Sequence, residues 1–212
     1  MTYDLVLGAA AAEFALHGFA GTNLADITAR TGLTKGALYG HFSSKADLAG
    51  ELTRSFESSW ADTLATAVGE AEETGTALPT LRTLLVGLAH RVYEDLPFAA
   101  GLRLVMDAAR ADGTTPVHLG NLCGVVALLV RKGQKDGSVS TTHPAELLAR
   151  LAVALLVGAP AVVTATDTAD PAALVSEVWD ILEPSLSGSG PGTESGTGSG
   201  SGSGAGVGSG AG

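Results

Sequence analysis

Residues 20–48 read AGTNLADITARTGLTKGALYGHFSSKADL, and this stretch decides the fold. Leu24 to Arg30 predicts a short helix, because Leu24 and Ile27 stand three residues apart on one face and Ala29 adds a small apolar residue. Thr22 and Asn23 precede it, and either side chain can accept from the free N–H groups of a first turn. Gly32 follows, where a left-handed residue normally ends a helix. Thr34 then caps a second short helix that presents Lys35, Gly36, Ala37, Tyr39 and His41 and turns Leu38 and Phe42 inward. Ser44 caps a third. Two helices joined by a tight turn containing Gly form a helix-turn-helix, whose second helix enters the major groove of DNA.

Composition bounds what surrounds this unit. The chain has 212 residues, but from Ser187 to Gly212 it is almost entirely Gly, Ser and Thr with one charge, Glu194. Such a stretch cannot bury enough apolar surface to offset its ordering entropy, so residues 187–212 are expected to be a disordered tail. Residues 1–186 are rich in Ala and Leu, poor in aromatics, and contain nothing that reads as a strand; the expected class is all-α. Cys123 is the lone cysteine, which excludes a disulfide framework and a cysteine-based metal site. No cofactor is implied.

Residues 1–16 lack a basic leader, and Asp4 and Glu13 interrupt their apolar run. The most apolar segment, Leu151 to Val163, falls short of the roughly 20 residues a bilayer span needs. A buried helix and a cytoplasmic location are expected. The net charge of −10 argues against nucleic acid as a partner, but its distribution matters more. In residues 1–54, Arg30, Lys35, Lys45 and Arg54 stand against Asp4, Glu13, Asp26, Asp47 and Glu51. That region is near neutral, and the acidic excess lies beyond it.

Periodicity predicts about nine helices. The first covers Tyr3 to His17, with Leu5, Ala9, Ala12 and Leu16 as its stripe, Phe14 beside it and Gly18 as its C-cap. A long helix from Lys45 to about Glu73 spaces Leu48, Leu52, Phe56, Trp60 and Leu64 helically and joins a small head to a larger body. Further helices follow over Leu78–Leu96, from Pro97, from Pro116 to about Gln134, from Pro144 to about Thr164, and over Ala172–Leu186. The eighth is apolar nearly all round from Leu147 onward, apart from Arg150, and must be covered on several sides. One side suits a second subunit, with the ninth helix completing a four-helix interface that holds Trp179, Ile181 and Leu182 or lies close to them. The expected division is a DNA-binding head over residues 1–48 and a ligand-binding and dimerisation body over residues 49–186.

The head resembles the TetR family of one-component transcriptional repressors. The residues that carry the likeness are Phe14, Gly18, Phe19, Thr22, Ile27, Gly32, Leu33, Thr34, Lys35, Gly36, Leu38, Tyr39, His41, Phe42, Lys45 and Leu48. Within that family the strings LTKGALYGHFSSKADLA (33–49) and AAGLRLVMDAA (99–109), with Trp179, are similar to the γ-butyrolactone receptor branch of actinomycetes. The resemblance implies that Lys35, Gly36 and Ala37 face the groove floor, and that Thr34, Tyr39 and His41 lie against phosphates. It also implies that Thr22 and Ser44 offer hydroxyls and helix amides to the backbone, while Lys45 adds charge. A Lys can reach guanine O6 and N7, small residues can pack on a thymine methyl, and phosphate contacts set register. Gly40 stands where the branch carries a large aromatic, and the basic arm many relatives place before the first helix is absent from this sequence.

The resemblance further implies a small-molecule effector held in the body. The candidate lining is Phe56, Trp60, Leu88, Phe98, Leu102, Met106, Leu122, Cys123, Val126 and Val157, with His90, His118 and Asn121 as candidate polar anchors. Branch members place a glutamine, a tryptophan and a hydroxyl residue where this chain has Phe56, Gly120 and Val157. A bulkier apolar metabolite therefore fits the sequence better than a butyrolactone. No HExxH, Gly-x-Ser-x-Gly or phosphate loop is present, so an enzyme is not expected. The expected function is a ligand-responsive dimeric repressor reading a pseudo-palindromic operator. The alternative is a helical ligand- or partner-binding dimer with weakened or lost operator binding.

Overall fold

The computed structural model describes residues 2–166 and 170–188, without the side chains of Lys35 and of positions 160, 161 and 163–166. The Gly/Ser stretch beyond 188 lies outside the described residues, as does the expectation that it is disordered. The described residues form α1 (Thr2–Gly21), α2 (Leu24–Thr31), α3 (Lys35–Tyr39), α4 (Lys45–Thr74), α5 (Ala77–Glu94), α6 (Leu96–Ala111), α7 (Val117–Asp136), α8 (Ala145–Thr166) and α9 (Pro171–Leu186). They contain no strand, only an isolated bridge between Val139 and Ser187. Beside it Ser140 N–H donates to Leu186 O at 2.7 Å and Gly188 N–H to Ser138 O at 3.0 Å, so the chain after α9 is pinned to the α7–α8 loop.

The caps fall where the sequence places them. Asn23 Oδ1 accepts from Asp26 N–H at 3.0 Å, Thr34 Oγ1 from Ala37 N–H at 3.3 Å, and Ser44 Oγ from Asp47 N–H at 3.0 Å. Gly32 closes α2 at φ 67°, and its N–H donates to Thr28 O. The expected stripe of α1 is corrected. Ala9, Ala12 and Phe14 are buried as expected, but Leu5 is 49% exposed and Leu16 63%, and Val6 and Ala10 are fully buried in their stead. Residues 5–16 are apolar all round except Glu13, so the pattern fixes a helix without fixing its phase. Gly18 does break α1, at φ 67° and ψ −177°, and a last turn runs on to Gly21.

Two cores are stacked along α4. The upper one joins Val6, Phe14, Ile27, Leu38, Phe42, Leu48 and Leu52 with Ala100 and Leu104 of α6. The lower one joins Phe56, Trp60 and Leu64 of α4 to α5, α7, α8 and α9, and takes Phe98 from α6. At about 1.5–3 kcal/mol for each large buried side chain, either core can hold its helices together. α6 belongs to both. It lies close on α4, where a Cβ at Gly101 would collide with Phe56 and with Leu52 O, and along α1, where a Cβ at Gly18 would collide with the Asp107 carboxylate. Trp179 is 5% exposed within the lower core, with Nε1 donating to Glu183 Oε2 at 3.1 Å, and lies close behind the outer face of α8 and α9, lining the cavity that also holds Leu151.

Candidate nucleic-acid interface and effector cavity

The helix-turn-helix presents a small polar surface over an apolar base. Leu38 (2% exposed) and Phe42 (6%) anchor α3, and Tyr3 of α1 stacks on Phe42 with ring centroids 5.0 Å apart. Thr34, Gly36, Tyr39 and His41 face outward, and Ala37 is half-buried. Tyr39 is 55% exposed. His41 stands edge-on to Tyr3 at 6.2 Å. Lys35 opens α3, but its side chain lies outside the described residues. Gly40 has φ −69° and ψ −19°, ordinary right-handed helical backbone, so its conformation does not require glycine.

Two expected backbone contacts are turned inward instead. Thr22 is 2% exposed, and its hydroxyl donates to Gly18 O at 2.8 Å, satisfying a carbonyl left free by the break in α1. Lys45 Nζ donates to Phe19 O and Thr22 O, each at 2.7 Å, and sits 4.4 Å from the Phe19 ring centroid. A cation at a helix C-terminus is stabilised there by the dipole. Arg30 is held by Glu13, a 6% exposed carboxylate, at 2.9 Å, and Arg54 pairs with Glu51. Every described Lys and Arg side chain in residues 2–54 is thus engaged within the fold. Sequence reasoning missed these partners because charge type is legible in a sequence and pairing across 17 to 26 residues is not.

In the body, the ten candidate lining residues divide. Phe56, Leu88, Phe98, Leu122 and Val126 are buried in the lower core, and Cys123 packs against it half-buried. Trp60, Leu102, Met106 and Val157 line one cavity of about 90 Å³, with Val92, Leu119 and Leu156, which the sequence reading did not single out. Trp60 also belongs to an aromatic cluster whose other members do not line that cavity, with Phe56 and Phe98 at 4.9 Å and His118 at 5.2 Å from Phe56 and 6.1 Å from Trp60. His90 and Asn121 are exposed, and His90 faces Glu94 at 3.7 Å; neither reaches the cavity. A larger cavity of about 350 Å³ lies between α5, α7, α8 and α9, lined by Leu81, Val126, Leu151, Leu155, Trp179 and Leu182 among others. Leu151 is 50% exposed, so this cavity opens onto the outer face of α8 and α9.

The described residues include no cluster of His, Cys, Asp and Glu arranged to hold a metal, and no helix among them is long and apolar enough to cross a membrane. Residues 6–52 match the family model described as bacterial regulatory proteins, tetR family. The A-factor receptor protein of Streptomyces griseus is 27% identical over 190 residues, which cover 89% of this chain; the chain spans 65% of that relative's length. A crystal structure of a γ-butyrolactone receptor, an ArpA-like protein, superposes with a TM-score of 0.69 at 25% identity and covers 88% of each chain. The full-length native tylp, a tetR regulator from Streptomyces fradiae, superposes with a TM-score of 0.58 at 27% identity, over 88% of this chain and 86% of that one. The match to the tetR family model is confined to the head, and the similarity to butyrolactone receptors extends over both cores.

Proposed function

We propose that the chain is a ligand-responsive, dimeric, DNA-binding transcriptional repressor, released from a pseudo-palindromic operator by a small apolar metabolite. The observation that carries this reading is the double membership of α6. Ala100 and Leu104 pack in the head core, while Leu102 and Met106 line the small cavity below. A ligand that enters between α4, α6 and α8 has to displace Met106 or Leu102. The resulting movement of α6 reaches α1 through Asp107 and Gly18, and with it the seat of α3. A ligand that binds the displaced state better shifts the population away from the DNA-competent one by its differential affinity. The second subunit covers Leu147, Leu151, Leu155 and Ile181 on the outer face of α8 and α9, together with the mouth of the larger cavity.

On the DNA, Lys35, Gly36 and Ala37 meet the groove floor, and Thr34, Tyr39, His41 and the N-terminus of α4 at Ser44 meet phosphates. With Arg30, Lys45 and Arg54 engaged internally, few phosphates are neutralised, so the salt dependence of binding is shallow. A gel shift on the region upstream of the chain's own and neighbouring genes, run across a salt series, tests this. Specific retardation that survives competitor DNA and weakens only gently with salt is expected. Tyr39→Phe should weaken binding by a similar factor on every operator variant; an altered base preference would remove Tyr39 from the phosphates. The engaged cations of the head also favour a second reading, a ligand- or partner-binding dimer that does not hold an operator. No retardation at low salt by a folded dimer would decide for it.

A further inference from the structure

Among the described residues, Trp60 Nε1 is the one buried side-chain nitrogen or oxygen with no hydrogen-bond partner. The residue is 3% exposed, at the wall of the small cavity bounded by Leu102, Met106, Leu119 and Val157. A phenylalanine would fill this place on α4 without burying a donor, as Phe56 does one turn earlier. The other tryptophan is matched, since Trp179 Nε1 donates to Glu183. An unpaired buried N–H carries its full desolvation cost, so a group that supplies an acceptor there binds with an advantage that an apolar group lacks. Water fits poorly in that role. It needs two to four polar partners, and the Trp60 indole N–H is the one polar side-chain donor among the residues that line this cavity.

We propose that the Trp60 indole N–H is the polar anchor of the effector, and that the effector is a neutral, mostly apolar molecule presenting a single acceptor such as a ketone, ester or ether oxygen. The proposal rests on the effector-cavity reading above and gives it a chemistry. None of the residues lining the cavity is ionisable, so a charged ligand would be buried without a counter-charge. Arg91 lies over the Phe98 ring, but its guanidinium is held by Thr63 and Asp95. The cavity has a volume of about 90 Å³. It admits the acceptor and its immediate carbons, and the rest of a larger molecule must push aside Met106, an unbranched and adaptable side chain.

The test uses the ¹⁵N-labelled full chain without DNA and two probes of one shape, cyclohexanone and methylenecyclohexane. The chain has two tryptophans, and Trp179→Phe assigns their indole resonances. Cyclohexanone should move the Trp60 indole proton downfield, leave that of Trp179 in place, and bind about two- to tenfold more tightly than the hydrocarbon, the range of one net hydrogen bond. Trp60→Phe should abolish that preference. Should this variant fold poorly, Val157→Trp, a change at the half-exposed rim, should block the shift by filling the entrance. Equal responses to the two probes, a response at Trp179 alone, or no response from a folded chain would each overturn the anchor. Operator binding is measured separately. A chain that retards no DNA yet shows the ketone-selective shift keeps the anchor and loses the repressor reading.

Discussion

At position 18 any side chain would stand against the Asp107 carboxylate, on a backbone held at φ 67°. Two penalties coincide there: a positive φ with extended ψ, a region essentially reserved for glycine and costing about 1–3 kcal/mol for a residue with a Cβ, and the loss of the α1–α6 contact. Gly40 is the opposite case, with a helical φ and only ordinary contacts awaiting a Cβ, from the carbonyls of Gly36 and Ala37 at 3.5 Å. Gly18→Ala should therefore destabilise the chain by more than about 1 kcal/mol, and Gly40→Ala should stabilise it by about 0.4–1 kcal/mol. Urea midpoints of the two variants check this. Adding Asp107→Ala to Gly18→Ala should recover the part of the loss that comes from the contact. Gly40 was legible in the sequence as a departure from the branch. The partner of Gly18 was not, because Asp107 lies 89 positions away on a helix whose own Arg103 and Arg110 already account for its charge.

At the scale of elements, the turn from α3 into α4 sets how the recognition helix leaves the head. Ser44 caps α4, and the Asp47 carboxylate turns back to accept from the N–H of Ser43 at 3.0 Å and from its hydroxyl. The Ser43 hydroxyl, ahead of the other hydrogen bonds, holds the Asp47 carboxyl below its ordinary value, against a smaller opposing effect of desolvation. A carboxyl lowered by folding contributes fully above the ordinary aspartate value and loses that contribution as pH falls through its own lower value. Thermal melts from about pH 5 to about pH 2 should show the wild type losing stability more steeply than Asp47→Asn. Equal acid limbs would mean that the turn does not depend on the carboxylate. The cap was readable from Ser44 alone; the closing contact from Ser43 needed the coordinates.

For the whole molecule, the question is what covers the outer face of α8 and α9. Ile181 is 74% exposed, Leu147 53% and Leu151 50%, each on a helix whose other face is already in the lower core. A two-fold dimer through this face would set two α3 helices against half-sites about 34–36 Å apart. Ile181→Asp removes little from the subunit core, so the variant should remain helical by circular dichroism while sedimenting as a monomer at concentrations where the wild type is dimeric. Its operator affinity should fall with dimerisation. A variant that stays dimeric would place the subunit contact elsewhere. Trp179 shows how far composition alone could go: the sequence marked it as a large residue near this face, and packing assigned it to the core behind it.

Features dictated by local chemistry were legible in the amino-acid order. The helix-turn-helix, the caps at Asn23, Thr34 and Ser44, the Gly32 turn and the α4 stripe from Leu48 to Leu64 were all readable, because caps act within three residues and helical periodicity within four. Tertiary structure alone decided which face of the uniformly apolar α1 is buried and which carbonyls Lys45 and Thr22 bind. It also decided which four candidate residues line the small cavity, and that α6 serves both cores. Those outcomes depend on groups brought together from distant parts of the chain, where hydrophobic burial selects the partners and spacing carries no record of them. The stretch from Ala20 to Leu48 names the head. The close approach of Asp107 to Gly18 joins α6 to that head, a contact between residues 89 positions apart that no local pattern records.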